Sequence, residues 1–194
     1  NYDGYVTGTQ TVTVAQRPVT FTGKSATEVY DGTEKTVSGF DVTAGSLVEG
    51  HEASVTASAS GTNAGTYPGT ITAAGEVKIM SGEQDVTANY AITTAPGTLT
   101  INDGKISEYV ELTTADASKT YDGAPLENKA ATATDKNGNE LTIEYSLDGE
   151  SGWTTDAASI TRTDAGSTTV YVRVSADNYD GYVTGTQTVT VAQR

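Results

Sequence analysis

Three groups of residues in this 194-residue chain have types and spacings that could do chemistry. Asp135, Asn137 and Asn139, in Asp135-Lys136-Asn137-Gly138-Asn139-Glu140, carry side-chain oxygens at alternate positions, as a calcium loop does. The bidentate glutamate of an EF-hand is absent at its spacing, and Asn137-Gly138 also reads as a hairpin turn. Lys119 and Asn178 are the types an intramolecular isopeptide crosslink uses. That reaction needs a buried lysine, an amide and a nearby carboxyl group to shuttle protons. Glu28 stands where Lys119 would be in the first half. Trp153 follows Asp148-Gly149-Glu150-Ser151-Gly152 and would stack on a sugar ring if it faced solvent, or cover the core if it did not.

The rest of the composition removes whole function classes. There is no Cys and one His, His51, which excludes disulfides, thiolate metal sites, Cys catalysis and His-pair metal sites within the chain. His51 lies in the polar turn Val48-Glu49-Gly50-His51-Glu52 and reads as a surface residue. Glu49 and Glu52 read as solvated charge, not a glycosidase pair. No G-x-S-x-G elbow occurs. The expectation is therefore no enzyme, no catalytic residue and no cofactor. The 135–139 loop is the place to seek a metal, and Trp153, or the recurrent Tyr30-Asp31-Gly32 and Tyr121-Asp122-Gly123 motif, the place to seek a ligand. A net charge of −14 repels phosphate backbones and anionic lipid, so nucleic acid is not an expected partner. No apolar run is long enough for a membrane-spanning segment. No secretion signal is visible, and the sequence reads as a piece of a longer protein.

Repetition organises the elements that must position these residues. Residues 1–17, NYDGYVTGTQTVTVAQR, recur without change at 178–194, an offset of 177. The natural reading is a tandem array with a 177-residue unit, in which 1–17 is the closing hairpin of the preceding copy. A weaker repeat lies inside the unit. Tyr30-Asp31-Gly32 recurs as Tyr121-Asp122-Gly123, Asn63-Ala64-Gly65 as Asp164-Ala165-Gly166, and Asn89-Tyr90 as Asn178-Tyr179. Four ordered landmarks, counting the Gly97–Ile101 and Gly185–Val189 endings, predict two related domains. These are 18–102 and 107–194, with a short linker at 103–106.

Hydrophobic alternation is two nearly everywhere, with 36 threonines filling the water-facing places. Val183, Val189 and Val191 share one face, as do Val170, Val172 and Val174. Asp31-Gly32, Asn137-Gly138, Asp148-Gly149 and Asp180-Gly181 are turn dipeptides. The fold class expected is all-β: two small antiparallel domains end to end, each an Ig-like sandwich or, alternatively, a β-grasp-like sheet. One helical turn is allowed near 82–88. In the Tyr-Asp-Gly motifs, Tyr30, Asp31, Gly32 and Tyr121, Asp122, Gly123 read as structural landmarks. Asp starts the turn, Gly supplies positive φ, and Tyr packs on the sheet end. Tyr90 and Tyr179 are the matching landmarks near each domain's close.

The segment Ser118-Lys119-Thr120-Tyr121-Asp122-Gly123-Ala124-Pro125-Leu126 resembles the signature of MBG-type and YDG-type repeat domains of bacterial surface proteins. Ala64-Gly65-Thr66-Tyr67 and the Asn-Tyr … Gly-Thr … endings carry the same resemblance. Asp164 replaces Asn63 and Ser167 replaces Thr66, which makes the halves different subtypes. The resemblance implies an all-β repeat of an adhesin-like protein at a bacterial cell surface or wall, and it brings no catalytic residue. The expected function is a structural stalk that spaces a distal binding head from the cell. Its expected partners are neighbouring repeats of the same chain, with strand exchange through 1–17 as a further route to association. The alternative is a module that itself binds host glycan or mucin weakly, through avidity.

Overall fold

Alternating Thr and Val cannot bury a helical stripe, and the chain forms strands throughout. The computed structural model describes residues 3–194. Asn1 and Tyr2, at the head of the repeated seventeen, lie outside the described residues.

The chain divides into two compact units. One takes in the described residues up to Ala26, with Lys35–Gly61 and Thr66–Thr100. Its organising strand is Arg17–Gly23, which turns Val19 and Phe21 inward. This strand pairs antiparallel with Phe40–Gly45 and parallel with Tyr90–Ala95. Gly45 has φ +70°, and a Cβ there would stand 2.0 Å from the Pro18 carbonyl oxygen, so only glycine lets the two backbones close. Two further sheets run in the orders Gln84–Asp85, Lys78–Ser81, His51–Ser54 and Lys35–Ser38, Ala57–Gly61, Thr70–Ile71. The core gathers Val19, Phe21, Val55, Val77, Ile79, Val86 and Tyr90. Phe21 meets Phe40 edge to face at 5.6 Å. Burial of a side chain such as Phe21 or Ile79 contributes about 1.5–3 kcal/mol. Leu99 in this unit is fully buried as well.

The other unit comprises Thr27–Glu34, Thr62–Gly65 and Ile101–Arg194. A four-stranded sheet runs in the order Ala117–Thr120, Val183–Ala192, Gly166–Ser175, Thr142–Ser146. Its inner face supplies Ala117, Val189, Val170, Val172 and Tyr145 to one core. Leu112 and Leu126 close over that core from two small antiparallel pairs, Val110–Thr113 with Thr132–Asp135 and Leu126–Glu127 with Thr161–Arg162. This two-layer arrangement is an all-β, Ig-like sandwich. Among the described residues the only α-helix is the single turn Ile106–Tyr109, so the grasp-like alternative has no helix to lay across a sheet.

Several expectations change. The domains are not purely antiparallel. Arg17–Gly23 runs parallel to Tyr90–Ala95, and Ala117–Thr120 runs parallel to Val183–Ala192, because an opening strand joins a closing one. The short 103–106 stretch carries pairing of its own: Gly104 and Lys105 pair parallel with Tyr179 and Asp180. In place of one helical turn at 82–88 there is a strand hairpin turning at Gly82, followed by a 3-10 turn at Thr87–Asn89. Residues 3–16 form no hairpin and lie exposed without regular structure, with Gln16 Nε2 donating to the Ala88 carbonyl at 2.9 Å.

Candidate functional site

The Tyr-Asp-Gly motifs form one corner twice. Gly32 and Gly123 have φ +82° and +83°, the left-handed backbone the turn needs. The Asp31 carboxylate accepts from the Thr33 amide at 2.9 Å, and the Asp122 carboxylate accepts from the Ala124 amide at 3.0 Å. Tyr30 donates its amide to the Asn102 carbonyl, and Tyr121 donates its amide to the Ala192 carbonyl, each at 2.9 Å. Each corner is thereby tied to a closing strand.

The surroundings of the two tyrosines differ. Tyr30 is 4% exposed, whereas Tyr121 is 41% exposed. Tyr30 meets Tyr179 edge to face at 5.3 Å, and Tyr109 stacks on Tyr179 from another side at 5.5 Å. The Tyr30 hydroxyl donates to Asn139 Oδ1 at 3.2 Å. Asn178 holds φ +67°, accepts from the Ala64 amide on its side-chain oxygen at 2.9 Å, and accepts from the Gly104 amide on its carbonyl at 3.0 Å.

The loop read as a calcium candidate lies in this cluster, with its oxygens turned inward. Asp135 accepts from the amides of Asn137 and Asn139 at 3.0 and 2.9 Å, from Asn139 Nδ2 at 2.6 Å and from the Tyr179 hydroxyl at 3.2 Å. Burial pushes the Asp135 carboxyl up, but these donors outweigh it and hold it below the ordinary carboxylate value. The Tyr179 hydroxyl also accepts from Asn137 Nδ2 at 2.8 Å. Burial pushes the Tyr179 phenol up to about 12. The Asp135 and Asn139 oxygens that a cation would use are engaged by N–H and O–H donors, as in an Asx turn. Among the described residues no group of three or more His, Asp or Glu side chains gathers as a metal-binding set.

Lys119 and Asn178 are not brought together. Lys119 Nζ donates to Asp122 Oδ1 at 2.6 Å and to the Ala124 carbonyl at 2.7 Å, inside its own corner. The lysine bond holds the Asp122 carboxyl below its ordinary value. Asn178 takes the partners given above. Trp153 faces Arg173, whose guanidinium lies 4.1 Å from its ring and 4.6 Å from that of Tyr182, while Arg173 Nε donates to Glu144 Oε2 at 2.7 Å. Gly149, Trp153, Tyr171 and Tyr182 border a shallow cleft of about 330 Å3. His51 is not an isolated surface residue. Its Nδ1 lies 2.6 Å from the Tyr90 hydroxyl, which also accepts from the Val48 amide at 3.0 Å.

Sequence reasoning missed Gln187. Its parity puts it on the apolar face of the closing strand, and there it is fully buried. Nε2 donates to Asn128 Oδ1 and the Lys129 carbonyl, each at 2.6 Å, and Oε1 accepts from the Ala115 amide at 3.1 Å. A Gln among inward-facing valines was the available signal.

The sequence pattern of the MBG domain matches residues 2–103. No curated protein matches. Among solved structures, the Clostridium thermocellum CbhA fibronectin(III)-like modules are similar at 17% identity over 93% of this chain and 91% of theirs, with a TM-score of 0.32. Titin domains z1z2 in complex with telethonin are similar at 14% identity over 97% of this chain and 100% of theirs, again at 0.32. An endo-fucoidan hydrolase of glycoside hydrolase family 107 is similar at 12% identity, with a TM-score of 0.29; the match covers 91% of this chain but only 29% of the hydrolase. TM-scores of this size fix neither fold nor function.

Proposed function

Because the chain belongs to the MBG domain family, whose domains are repeat modules of surface proteins, we propose that it is a spacer: a stalk repeat outside the cell that holds a distal binding head away from a bacterial surface. The observation that carries this reading is the recurrence of one corner in one backbone geometry, at Tyr30-Asp31-Gly32 and Tyr121-Asp122-Gly123, each bonded to a closing strand. The groups that could have done chemistry support it by what they do instead. Asp31, Asp122, Asp135 and Lys119 spend their hydrogen-bonding capacity on the shape of turns. Small-angle scattering from chains of one, two and three copies tests the spacer. The maximum dimension is expected to grow in equal steps per copy; a compact profile, or one of freely jointed beads, rejects the reading.

A second reading has one observation in its favour. Tyr171 and Tyr182 stay partly open to solvent beside Trp153 and Arg173, and aromatic faces next to a cation suit weak contact with a host glycan or mucin. Multiple copies would raise such contact through avidity. Binding of a multi-copy chain to a glycan array, lost in Tyr182→Ala, would favour this reading over the spacer. Absence of binding at any copy number rejects it.

A further inference from the structure

We infer that the Tyr121 corner is one half of a docking surface whose other half is the Asn89-Tyr90 cleft of a second copy of this chain. This deepens the spacer reading and rests on it. The argument starts from a junction the molecule already contains. In the unit of Thr27–Glu34, Thr62–Gly65 and Ile101–Arg194, the corner residue Tyr30 bonds Asn102. Two residues further on, Gly104 pairs parallel with Tyr179. The ring of Tyr30 then sits on Tyr179, and the Ala64 amide is received by Asn178.

The same parts recur, separated. Tyr121 bonds Ala192, and two residues further on stands Arg194. By the repeated seventeen residues, Arg194 is equivalent to Arg17. Arg17 pairs parallel with Tyr90, just as Gly104 pairs with Tyr179. The sequence equivalences Tyr30 to Tyr121, Ala64 to Ala165, and Asn178-Tyr179 to Asn89-Tyr90 complete the set. If the 18–194 sequence follows Arg194, the register is fixed: Tyr121 is delivered to Tyr90 of the following copy and Ala165 to Asn89.

The Tyr121 half is open where the internal junction is closed, and the receiving half sets an exposed Asn89 beside the buried Tyr90 ring. Tyr121 and Ala165 are exposed, whereas Tyr30 is buried and Ala64 half-buried. Tyr121, Asp164, Ala165, Gln193 and Arg194 border a hollow of about 450 Å3. In the other unit, residues 14–17 with Val48, His51 and Tyr90 border a cleft of about 320 Å3, beside the exposed Asn89. Arg17 already fixes the floor of that cleft: its Nε donates to the Ser46 carbonyl at 2.7 Å and its Nη2 to the Ser46 hydroxyl at 2.6 Å. In a following copy, Arg194 would occupy this position. The ligand is thus a hydrogen-bonding tyrosine corner of this same chain, received by a Tyr-His pair.

The test compares the 194-residue chain with one carrying a second 18–194 sequence after Arg194. Tyr121→Ala should lower the melting temperature of the single chain only slightly, because the side chain is already partly open to water. Placed in the first copy of the two-copy chain, it should lower melting by at least about 2 °C more than in the single chain. An equal shift in both chains overturns the docking. The absence of Cys allows a second, independent reading by disulfide trapping. Ala165→Cys in the first copy with Asn89→Cys in the second should oxidise at least tenfold faster than Ala165→Cys paired with Gly75→Cys, an exposed position elsewhere on the same unit. Equal rates overturn it. Scattering from the same two-copy chain separates the two failures. An extended profile with equal trapping rates refutes the docking and leaves the spacer standing, whereas a compact profile refutes the spacer itself.

Discussion

One stretch of seventeen residues occurs twice in this chain and meets two fates. At 178–194 it forms a short strand at Tyr179–Asp180 and a ten-residue strand at Val183–Ala192, with Val189 0% and Val191 1% exposed. At 3–16 the same residues form no strand, and Val12 and Val14, the equivalents of Val189 and Val191, are each 89% exposed. Propensity and alternation are identical in the two places, so neither decides the outcome. What differs is the company: Ala117–Thr120 on one edge and Gly166–Ser175 on the other supply ladder partners and an apolar face. Strand propensity here describes what fits a half-buried pleat; it does not make one.

The largest break of this comparison is a buried charge. Val189→Asp should unfold the sandwich that holds it, costing at least about 3–5 kcal/mol, whereas Val12→Asp should shift denaturant unfolding by less than about 0.5 kcal/mol. Equal effects would mean that residues 3–16 are packed in solution. The next effect belongs to Gln187. Gln187→Ala strands the buried Asn128 side-chain oxygen and removes the bonds to the Lys129 carbonyl and the Ala115 amide, and should cost about 1–3 kcal/mol, while Gln10→Ala should cost nothing measurable in the same urea titration.

A smaller effect comes from acid. The donors on Asp148, led by the Ser151 hydroxyl at 2.6 Å and the Ser151 amide at 2.7 Å, hold its carboxyl far below the ordinary 3.8. Asp135 is lowered as well. A carboxyl group whose folded value is depressed contributes stability that is present above its unfolded value and is lost as pH falls through the folded one. Unfolding free energy should therefore decline as pH drops below about 4. Asp148→Asn should flatten that decline and leave the slope at neutral pH untouched; an unchanged acid limb would rule out this carboxylate as its source. The smallest effect is expected from deleting residues 1–15. Melting and solution mass should both stay as they are, and a change from a larger species to a monomer would reveal strand exchange through that segment.

Much of the architecture was legible in the sequence, because turns and alternation are local. Gly32, Gly123, Gly138, Gly149 and Gly181 all adopt positive φ, as their Asp-Gly and Asn-Gly pairs required. The inward parity of Val170, Val172 and Val189 followed from period two. The parallel pairing of Ala117–Thr120 with Val183–Ala192 was not legible, since alternation fixes a strand's faces and not its direction. The surroundings of the candidate residues were not legible for a related reason. Asp135, Asn137 and Asn139 have the same spacing whether their oxygens point outward to a cation or inward to amides and a phenol. Lys119 reads as a crosslinking residue until Asp122, three positions away, is seen to hold it. Tyr30 reaches Asn139 across 109 positions, a distance at which no local pattern speaks.

The seating of Val183–Ala192 between the first strand of its sheet and the strand before it governs the order of assembly. Ala117–Thr120 has no neighbour in that sheet until the last ten-residue strand arrives. As synthesis delivers the polypeptide from its amino end, the sandwich stays an unfinished half-shell, with its valine face wet, until the final segment slots in. Completion of the sheet is thus a single late event, set by the last strand to leave the ribosome.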